Sequence, residues 1–383
     1  MTPFDYQPRT RIVFGPDKID SLGDLAGELG ARRALLVTDP GIVAAGHAER
    51  GLAALNRAGI ETQLFEGVGE NPTTDHVDAG LAVAKRHNPE LIVGLGGGSS
   101  MDCAKGINFL LTGGGRMADY WGTGKATRPM LPSIAVPTTA GTGSETQSFA
   151  LISDASTHVK MACGDKKASF RVAILDPQLT VSQPPRVTAL TGIDALAHAL
   201  ETYVTRTRTA VSLAFSREAW QLLGENFGRV LEDPSDLEAR SGMQLGAAFA
   251  GLAIENSMLG ATHALANPLT ARYGIVHGQA VGLMLPHVIR FNGHEFGSWY
   301  DDLLAASGGT NGFPSPQSGY GGLAEFIADL AHKAGLPARL SECGVERAAL
   351  GELATEAARQ WTCKFNPREA SEADLLALYE AAF

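Results

Sequence analysis

The stretch LIVGLGGGSSMDCAK, residues 91–105, contains the strongest fold signal of the chain. Its first five residues form a short apolar run typical of a buried β-strand, and Gly96, Gly97 and Gly98 then lead into a helix-like sequence. Glycines let the backbone approach a ligand closely, and a helix N-terminus favours anions, so a pyrophosphate would fit at this turn. A tight strand-to-helix turn is the alternative interpretation, although one glycine would be enough to form it.

The sequence around this stretch alternates between strand-like and helix-like patterns. Short apolar runs at 34–38, 62–66 and 134–136 predict three more strands, and helical patterns occupy about 41–58 and 74–87. Such alternation is typical of a Rossmann-like parallel sheet with helices on both faces. Ligands of these sheets bind beyond the carboxyl ends of the strands.

The second half of the chain changes character at about Pro184. Strand-like patterns become scarce, and helical periodicity dominates near 188–205, 209–231, 236–265, 323–334, 346–361 and 371–382. We therefore predict two domains, an α/β domain over 1–182 and an all-helical domain over 183–383. The stretch 307–322, rich in Gly, Ser and Pro, is predicted to be an exposed loop.

Composition restricts the possible classes of function. The chain has 383 residues, 44% hydrophobic and 19% charged, as an ordinary globular protein does, and its net charge of -10 argues against nucleic-acid binding. Its four cysteines form no C-x-x-C pair and suggest a reducing compartment, so we expect a cytoplasmic protein. No basic segment followed by an apolar one opens the chain, and the weakly apolar stretch 246–269 contains Glu255 and His263. Neither a signal peptide nor a membrane span is therefore predicted.

Four residues of the second half form a possible metal site. Asp194 and His198 stand four apart, which places both side chains on one face of a helix. His263 and His277 each lie in an apolar segment punctuated by glycine. A carboxylate with three imidazoles suits Fe(II), Zn(II), Mn(II) or Ni(II). A histidine on an apolar face is more often a satisfied core residue, and spacing alone does not bring the four together.

Two further segments could bind a nucleotide. The hydroxyls and backbone donors of PTTAGTGSE, residues 137–145, could hold a ribose, a phosphate or a nicotinamide amide, but a polar capping loop is equally compatible. Asp39 ends a predicted strand, where a carboxylate can accept hydrogen bonds from an adenosine ribose and would repel a 2′-phosphate. This position favours NAD over NADP, although Asp39, Pro40 and Gly41 are equally typical of a turn.

Taken together, these segments resemble the iron-containing (group III) alcohol dehydrogenase family. The resemblance covers nearly the whole chain and rests on motifs in the same order: Arg11–Pro16, Glu70–Thr73, Gly96–Lys105, Pro137–Glu145, Asp176–Pro177, Thr191–Glu201, His277–Ala280 and Asn366–Arg368. Several long motifs in the right order are more specific than any one of them. The resemblance implies an enzyme that transfers a hydride between NAD(H) and a primary or secondary alcohol, aldehyde or ketone.

The resemblance also implies an architecture and a set of site residues. The architecture is dehydroquinate synthase-like, with the active site between a dinucleotide-binding domain and a helical domain. The metal, Fe(II) in the first place, is expected on Asp194, His198, His263 and His277, which act in catalysis through it. NAD(P) is expected against Asp39, Asn71, Gly97, Gly98, Ser99, Asp102, Thr138, Thr139, Lys160 and Leu179. We expect the pocket for a small alcohol or aldehyde to involve Phe149, Ile254 and Asn267, and the protein to be a homodimer or larger homo-oligomer.

Asn267 is the position at which the chain departs from the family pattern. Many members have a second histidine four residues after the third metal ligand, linked to the cofactor side of the site and to proton handling. An asparagine side chain can form hydrogen bonds but does not titrate. This departure puts a proton relay through position 267 in doubt, and water, a cofactor ribose hydroxyl or another histidine could replace it.

Other functional classes remain as alternatives to the dehydrogenase. A maleylacetate-reductase-like enzyme would use NADH without an essential metal, but both Asp194 and His198 are retained. A dehydroquinate-synthase-like lyase would need basic residues around a phosphorylated substrate, and the predicted ligand segments contain few. A nucleotide-binding module without catalysis is the non-enzyme alternative, against which the complete set of metal ligands argues.

Overall fold

The structure, a computed structural model, describes residues 2–306 and 313–383. It contains two compact units. The α/β unit comprises Gln7–Thr139 and Gly143–Gln183. The helical unit comprises the chain from Pro184 onward, the short segment Ala140–Thr142 and the N-terminal residues up to Tyr6. The division into domains at 182/183 stays a prediction from the sequence.

The α/β unit alternates strands and helices along most of its length. Its elements are β1 Arg11–Phe14, α1 Leu22–Glu28, β2 Arg33–Val37, α2 Pro40–Ala44, α3 His47–Arg57, β3 Glu61–Phe65, α4 Thr74–His87, β4 Leu91–Gly96, α5 Gly98–Gly113, β5 Gly122–Thr123, β6 Ser133–Pro137, β7 Phe149–Ser153, β8 Lys160–Gly164 and β9 Val172–Leu175. The four strands predicted from the sequence correspond to β2, β3, β4 and β6. The helical pattern at 41–58 forms two helices, α2 and α3, instead of one.

Six strands form a parallel sheet in the order β1-β9-β6-β4-β2-β3. Alternate residues of β2 belong to different hydrophobic clusters. Leu35 and Val37 pack in one cluster, and Leu36 packs in the other. Because successive side chains of a strand point to opposite faces, the sheet is covered on both sides. This arrangement confirms the predicted Rossmann-like fold. The carboxyl ends of β2, β4 and β6, which are neighbours in the sheet, lie at the same edge.

A second, three-stranded sheet was not expected from the sequence. Its order is β5-β8-β7, and β7 pairs with β8 in antiparallel register from Phe149 opposite Gly164 to Ser153 opposite Lys160. The strands β1 and β9 were also missed. The missed strands have two to five residues. The strand β5 lacks the apolar run that marks the buried strands β2, β4 and β6, and periodicity alone does not distinguish runs as short as those of β7 and β8 from helical segments.

The helical unit consists of eight α-helices in the described part of the chain. They are α6 Pro185–Val204, α7 Ala210–Glu232, α8 Leu237–Glu255, α9 Ala261–Tyr273, α10 His277–Ala306, α11 Gly319–Lys333, α12 Leu350–Ala358 and α13 Glu372–Ala382. A single continuous core of apolar side chains joins them, drawn mainly from α6, α7 and α10. Nearly every residue of α6 from Thr188 onward is buried, so this helix lies inside the unit.

Two sequence predictions for this unit need correction, and one long helix was missed. The pattern over 236–265 is interrupted, because α8 ends at Glu255 and α9 begins at Ala261. The long helix α10 was not predicted; it is kinked at Phe296, where φ is -119° and ψ is 25°. Of the predicted loop 307–322, residues 307–312 lie outside the described residues and Gly319 onward is helical. No helix among the described residues is long and apolar enough to cross a membrane.

Candidate functional site

The helix α6 carries two of the predicted metal ligands. Asp194 and His198 are one turn apart on the same face, as their spacing predicted, and both side chains are buried. His198 Nε2 lies 3.4 Å from Asp194 Oδ1. The arrangement brings a carboxylate oxygen and an imidazole nitrogen to one place in the core of the helical unit.

Two other helices bring histidines to the same carboxylate. His263, in the first turn of α9, places Nε2 3.4 Å from Asp194 Oδ1, and His277, the first residue of α10, places Nε2 3.7 Å from it. Ligand atoms of Asp194, His263 and His277 all lie within 4.8 Å of one another. The start of α10 can approach α6 because Gly278 has no side chain, and a Cβ there would lie 2.1 Å from the backbone oxygen of Leu190.

The far sides of two imidazole rings are held by hydrogen bonds. His263 Nδ1 lies 2.6 Å from Glu201 Oε2, and His198 Nδ1 lies 3.3 Å from the backbone oxygen of Gly141. Since carboxylates and carbonyls only accept hydrogen bonds, each ring carries its proton on Nδ1 and leaves Nε2 free to act as a ligand. The sequence analysis did not identify Glu201 or Gly141 as site residues.

The charges of Asp194, Glu201 and the neighbouring histidines favour binding of a cation. Burial raises the pKa of Asp194, but the neighbouring imidazoles, His198 foremost, outweigh it and hold the pKa well below its usual range. Burial also opposes ionisation of Glu201, yet the hydrogen bond from His263 keeps its pKa low. Burial lowers the pKa of His198. Burial also works against a charge on His263, but the nearby carboxylates of Asp194 and Glu201 outweigh it and raise the pKa of His263 to about 9. Two ionised carboxylates therefore lie inside an apolar core.

The donor atoms fit a divalent metal ion. Asp194 Oδ1 and His263 Nε2 are fully buried and form no hydrogen bond, although they lie only 3.4 Å apart. Leaving such atoms without a partner costs about 1–3 kcal/mol each, which a bound ion would recover. One carboxylate oxygen surrounded by imidazole nitrogens suits Fe(II), Zn(II), Mn(II) or Ni(II). We call Asp194, His198, His263 and His277 the metal cluster.

The glycine turn after β4 has the features of an anion site. Gly97 caps α5, a helix of 16 residues, and gives it no side-chain hydrogen bond, so the first backbone N–H groups are left for a ligand. Gly96 has a φ of 145°, which L side chains rarely adopt. Thr138 and Thr139 follow the neighbouring strand, and the N–H of Thr138 donates to the backbone oxygen of Gly96. The pyrophosphate of a dinucleotide fits this arrangement.

Asp39 shows the turn chemistry that the sequence left open, and its role toward a cofactor stays a prediction. Its Oδ1 accepts a hydrogen bond from the N–H of Ile42 at 3.1 Å and so caps α2, which is turn chemistry. Its Oδ2 accepts one from Ser100 Oγ at 3.0 Å, which joins it to the glycine turn. The carboxylate is half-buried at the carboxyl end of β2, the edge of a parallel sheet at which ligands commonly bind.

Asp102 uses both carboxylate oxygens inside the α/β unit. Oδ1 accepts from Ser144 Oγ at 2.5 Å, and Oδ2 accepts from the N–H of Leu151 at 3.1 Å. The buried ammonium of Lys105 lies 3.8 Å from Oδ1 and donates to the backbone oxygen and Oγ of Ser144 and to the backbone oxygen of Phe149. We call Asp102, Lys105 and Ser144 the lysine network; it ties α5 to the segment before β7.

The remaining predicted cofactor residues lie at different depths. Asn71 is exposed and has a φ of 50°. Ser99, in the first turn of α5, and Lys160, at the start of β8, are half-buried. Leu179 is fully buried in the core of the α/β unit. Gly98, the first residue of α5, is half-buried. Contact of these residues with NAD stays a prediction.

The predicted substrate residues come from both units. Phe149 begins β7 in the α/β unit and is half-buried, and Ile254 is buried near the end of α8 in the helical unit. Asn267 is half-buried on α9, one turn after His263, and its Nδ2 donates to Gln360 Oε1 at 3.1 Å. A shared substrate pocket of these three residues stays a prediction.

Comparison with known proteins identifies the family. Residues 8–177 match the iron-containing alcohol dehydrogenase family, and residues 188–383 match the C-terminal part of the Fe-containing alcohol dehydrogenase family. The chain is 35% identical to a 1,3-propanediol dehydrogenase of Klebsiella pneumoniae over 99% of each chain, and 33% identical to an NAD-dependent methanol dehydrogenase of Bacillus methanolicus over 100% of each. A crystal structure of 1,3-propanediol oxidoreductase, 34% identical, superposes over 100% of both chains with a TM-score of 0.95. The chain therefore belongs to the iron-containing alcohol dehydrogenase family.

Proposed function

We propose that the protein is a metal-dependent dehydrogenase that transfers a hydride between NAD(H) and a small primary or secondary alcohol, or the matching aldehyde or ketone. The observation that carries this proposal is the convergence of imidazole nitrogens on Asp194 Oδ1 in a buried place, with Asp194 Oδ1 and His263 Nε2 left without hydrogen bonds. Family membership and the NAD dependence of a relative in the family support it.

The residues of the metal cluster have separable tasks in this proposal. When bound, a divalent ion supplies Lewis-acid polarisation of the substrate oxygen, and NAD(H) accepts or donates the hydride. Asp194 contributes negative charge that holds the cation and moderates its acidity. His198, His263 and His277 contribute neutral nitrogen donors, and the burial of Asp194, His198 and His263 excludes water. In such a low-dielectric place, the charge that develops on the substrate oxygen interacts strongly with the site.

We propose iron as the metal and NAD as the dinucleotide. Iron is favoured by the family, and the donor set also suits Zn(II), Mn(II) and Ni(II). NAD is favoured by Asp39, since its carboxylate lies beside the glycine turn and would repel the 2′-phosphate of NADP. We propose that the dinucleotide contacts Asp39, Asn71, Gly97, Gly98, Ser99, Thr138, Thr139, Lys160 and Leu179. Asp102 contributes to this site indirectly, through its hydrogen bonds with Ser144 and Leu151.

A screen of alcohols and aldehydes on metal-defined protein, with NADH and NADPH in parallel, tests this function. We expect turnover only with the metal-loaded protein and a preference for NADH. Full turnover in demonstrably metal-free protein would contradict the role of the metal cluster and favour a maleylacetate-reductase-like enzyme. A clear preference for NADPH would overturn the role of Asp39. Release of phosphate from a polyhydroxylated phosphorylated substrate, without net NADH change, would indicate a dehydroquinate-synthase-like lyase.

We also propose a cytoplasmic homo-oligomer, at least a dimer. The four cysteines are free thiols, two of them buried, which supports a reducing compartment. The strand β1 lies at an edge of the six-stranded sheet and exposes 39% of Phe14, and an edge strand can pair with a strand of a second copy. Size-exclusion chromatography with light scattering measures the oligomeric state directly.

A further inference from the structure

Glu201 is a buried carboxylate on the helix that carries two predicted metal ligands. It follows Asp194 by two helical turns and His198 by three residues, so all three side chains occupy the same side of α6. Only 5% of its side chain is exposed. A buried carboxylate is expensive unless hydrogen bonds satisfy it, so the partners of this side chain indicate its task.

The hydrogen-bond partners of Glu201 lie at the start of α9. Oε2 lies 2.6 Å from Nδ1 of His263, and Oε1 accepts the backbone N–H of Thr262 at 2.7 Å. One oxygen therefore orients the imidazole ring, while the other fixes the backbone from which that ring projects. Each oxygen acts as an acceptor, which an ionised carboxylate alone among the natural side chains can provide on both of its atoms.

Asn366 holds the same helix end without contacting the imidazole. Its Oδ1 accepts the backbone N–H of Ala261 at 3.2 Å and a hydrogen bond from Asn292, and its Nδ2 donates to the oxygen of Asn292 at 2.7 Å. The start of α9 thus has two side-chain acceptors from different parts of the chain. Only Glu201 of this pair also contacts His263, so the two residues separate helix capping from ring orientation.

We propose that Glu201 is a positioning residue of the metal cluster and sets its metal affinity. It holds His263 in the tautomer with the proton on Nδ1, so that the lone pair of Nε2 faces Asp194, and it fixes the height of the ring through Thr262. This inference rests on the proposed metal-dependent function. Outer-shell partners of metal-ligating histidines typically contribute about 10–100-fold to metal affinity.

Replacement of Glu201 by glutamine is diagnostic because it changes one acceptor into a donor. If the amide NH₂ faces His263, it donates to Nδ1 and drives the proton to Nε2, which can then no longer bind metal. If the NH₂ faces Thr262 instead, it opposes a backbone N–H and the helix end loses its acceptor. Either orientation therefore damages the site, although the side chain keeps nearly the same size and shape.

The experiment measures Zn²⁺ affinity of the full-length protein by competition with a chromophoric chelator, for the wild type, Glu201→Gln and the control Asn366→Ala. We expect Glu201→Gln to weaken Zn²⁺ binding about 10–100-fold while the metal-free variant keeps its helical circular dichroism. Asn366→Ala should lower the melting temperature of the metal-free protein and change Zn²⁺ affinity clearly less. Equal Zn²⁺ affinity of Glu201→Gln and wild type would overturn the proposal.

The outcomes distinguish this inference from the proposed function. Absence of stoichiometric Zn²⁺ binding by the wild type would contradict the metal cluster itself. If Glu201→Gln does not fold, NMR of histidine rings labelled with ¹⁵N in the Zn²⁺-loaded wild type decides the question. We then expect a protected Nδ1–H signal that disappears in His263→Asn, whereas a ring with its proton on Nε2 would overturn the role of Glu201.

Discussion

Two buried clusters of charged side chains, one in each unit, differ in how their polar atoms are satisfied. In the lysine network, Lys105 donates to Ser144 and Phe149, and Asp102 accepts from Ser144 and Leu151. The charges of this network are thus matched within the protein. A network of this kind stabilises and orders a fold, and it presents no buried polar atom that requires a ligand.

The metal cluster lacks this internal satisfaction. Its rings are anchored on their far sides by Glu201 and Gly141, whereas Asp194 Oδ1 and His263 Nε2 meet without a hydrogen bond. Burial and charge alone therefore do not separate a binding site from a structural network. The informative feature is a set of well-anchored side chains whose free atoms converge on one point, and the following changes test that distinction.

Removal of Asp194 should have the largest effect on function and little on folding. We expect Asp194→Ala to lose bound metal and to lower kcat/KM at least about 1,000-fold, because a metal ion contributes several kcal/mol of charge stabilisation in the transition state. Metal analysis and steady-state kinetics measure both. The control Thr202→Ala deletes another buried polar group of α6 and should keep its metal. Metal retention by Asp194→Ala at wild-type stoichiometry would remove the distinction between the two clusters.

Removal of the Lys105 ammonium should have the opposite profile. Lys105→Met leaves the acceptors on Ser144 and Phe149 without this donor and Asp102 without its neighbouring charge. Breaking a buried pair of this kind costs about 3–5 kcal/mol of unfolding free energy. Urea denaturation of the metal-free protein measures this loss, and the metal content per folded chain should not change. A variant with normal stability and lost metal would contradict the structural role of the lysine network.

The sequence predicted those parts of both clusters that depend on local spacing. The strand, glycine turn and helix over residues 91–105 lie where the pattern placed them, and Asp194 and His198 share one face of α6. Both follow from the regular repeat of strands and helices. Metal binding by the four residues of the metal cluster stays a prediction, and so do the contacts with NAD.

The anchors of the clusters were not predictable in the same way. Glu201 meets His263 across 62 positions of the sequence, and Gly141 meets His198 across 57. Their roles depend on the packing of distant elements, which no local pattern records. A glutamate on a helix is usually a solvated side chain, so Glu201 was not chosen as a site residue. A signal did exist, however, in its spacing of two turns from Asp194.

Glu145, next to the lysine network, should make stability depend on pH. Burial raises the pKa of Glu145 to about 7, against an ordinary value of 4.5, while its own backbone and Lys105 oppose the shift. Folding favours the protonated form of Glu145. Its contribution to the free energy of unfolding is therefore complete below about pH 4.5 and is lost as the pH rises through 7. Glutamine is neutral at every pH. The free energy of unfolding of Glu145→Gln, relative to that of the wild type, should therefore be about 3 kcal/mol higher at pH 8 than at pH 4.5. Urea denaturation at both pH values checks this; a constant difference would contradict it.

Asn267 should give the smallest effect, because it lies one turn after His263 and its amide already donates a hydrogen bond to Gln360. Its Nδ2 donates to Gln360 Oε1 at 3.1 Å, and loss of one such half-buried neutral hydrogen bond costs about 0.5–1.5 kcal/mol. We expect Asn267→Ala to lower stability by that amount and to leave Zn²⁺ affinity and the pH profile of kcat unchanged, since an amide does not titrate. Denaturation, chelator competition and kinetics from pH 6 to 10 measure the three quantities. A shifted inflection in the pH profile would show that this position controls a proton after all, and that a satisfied side chain one turn after His263 can still take part in the chemistry of the metal cluster.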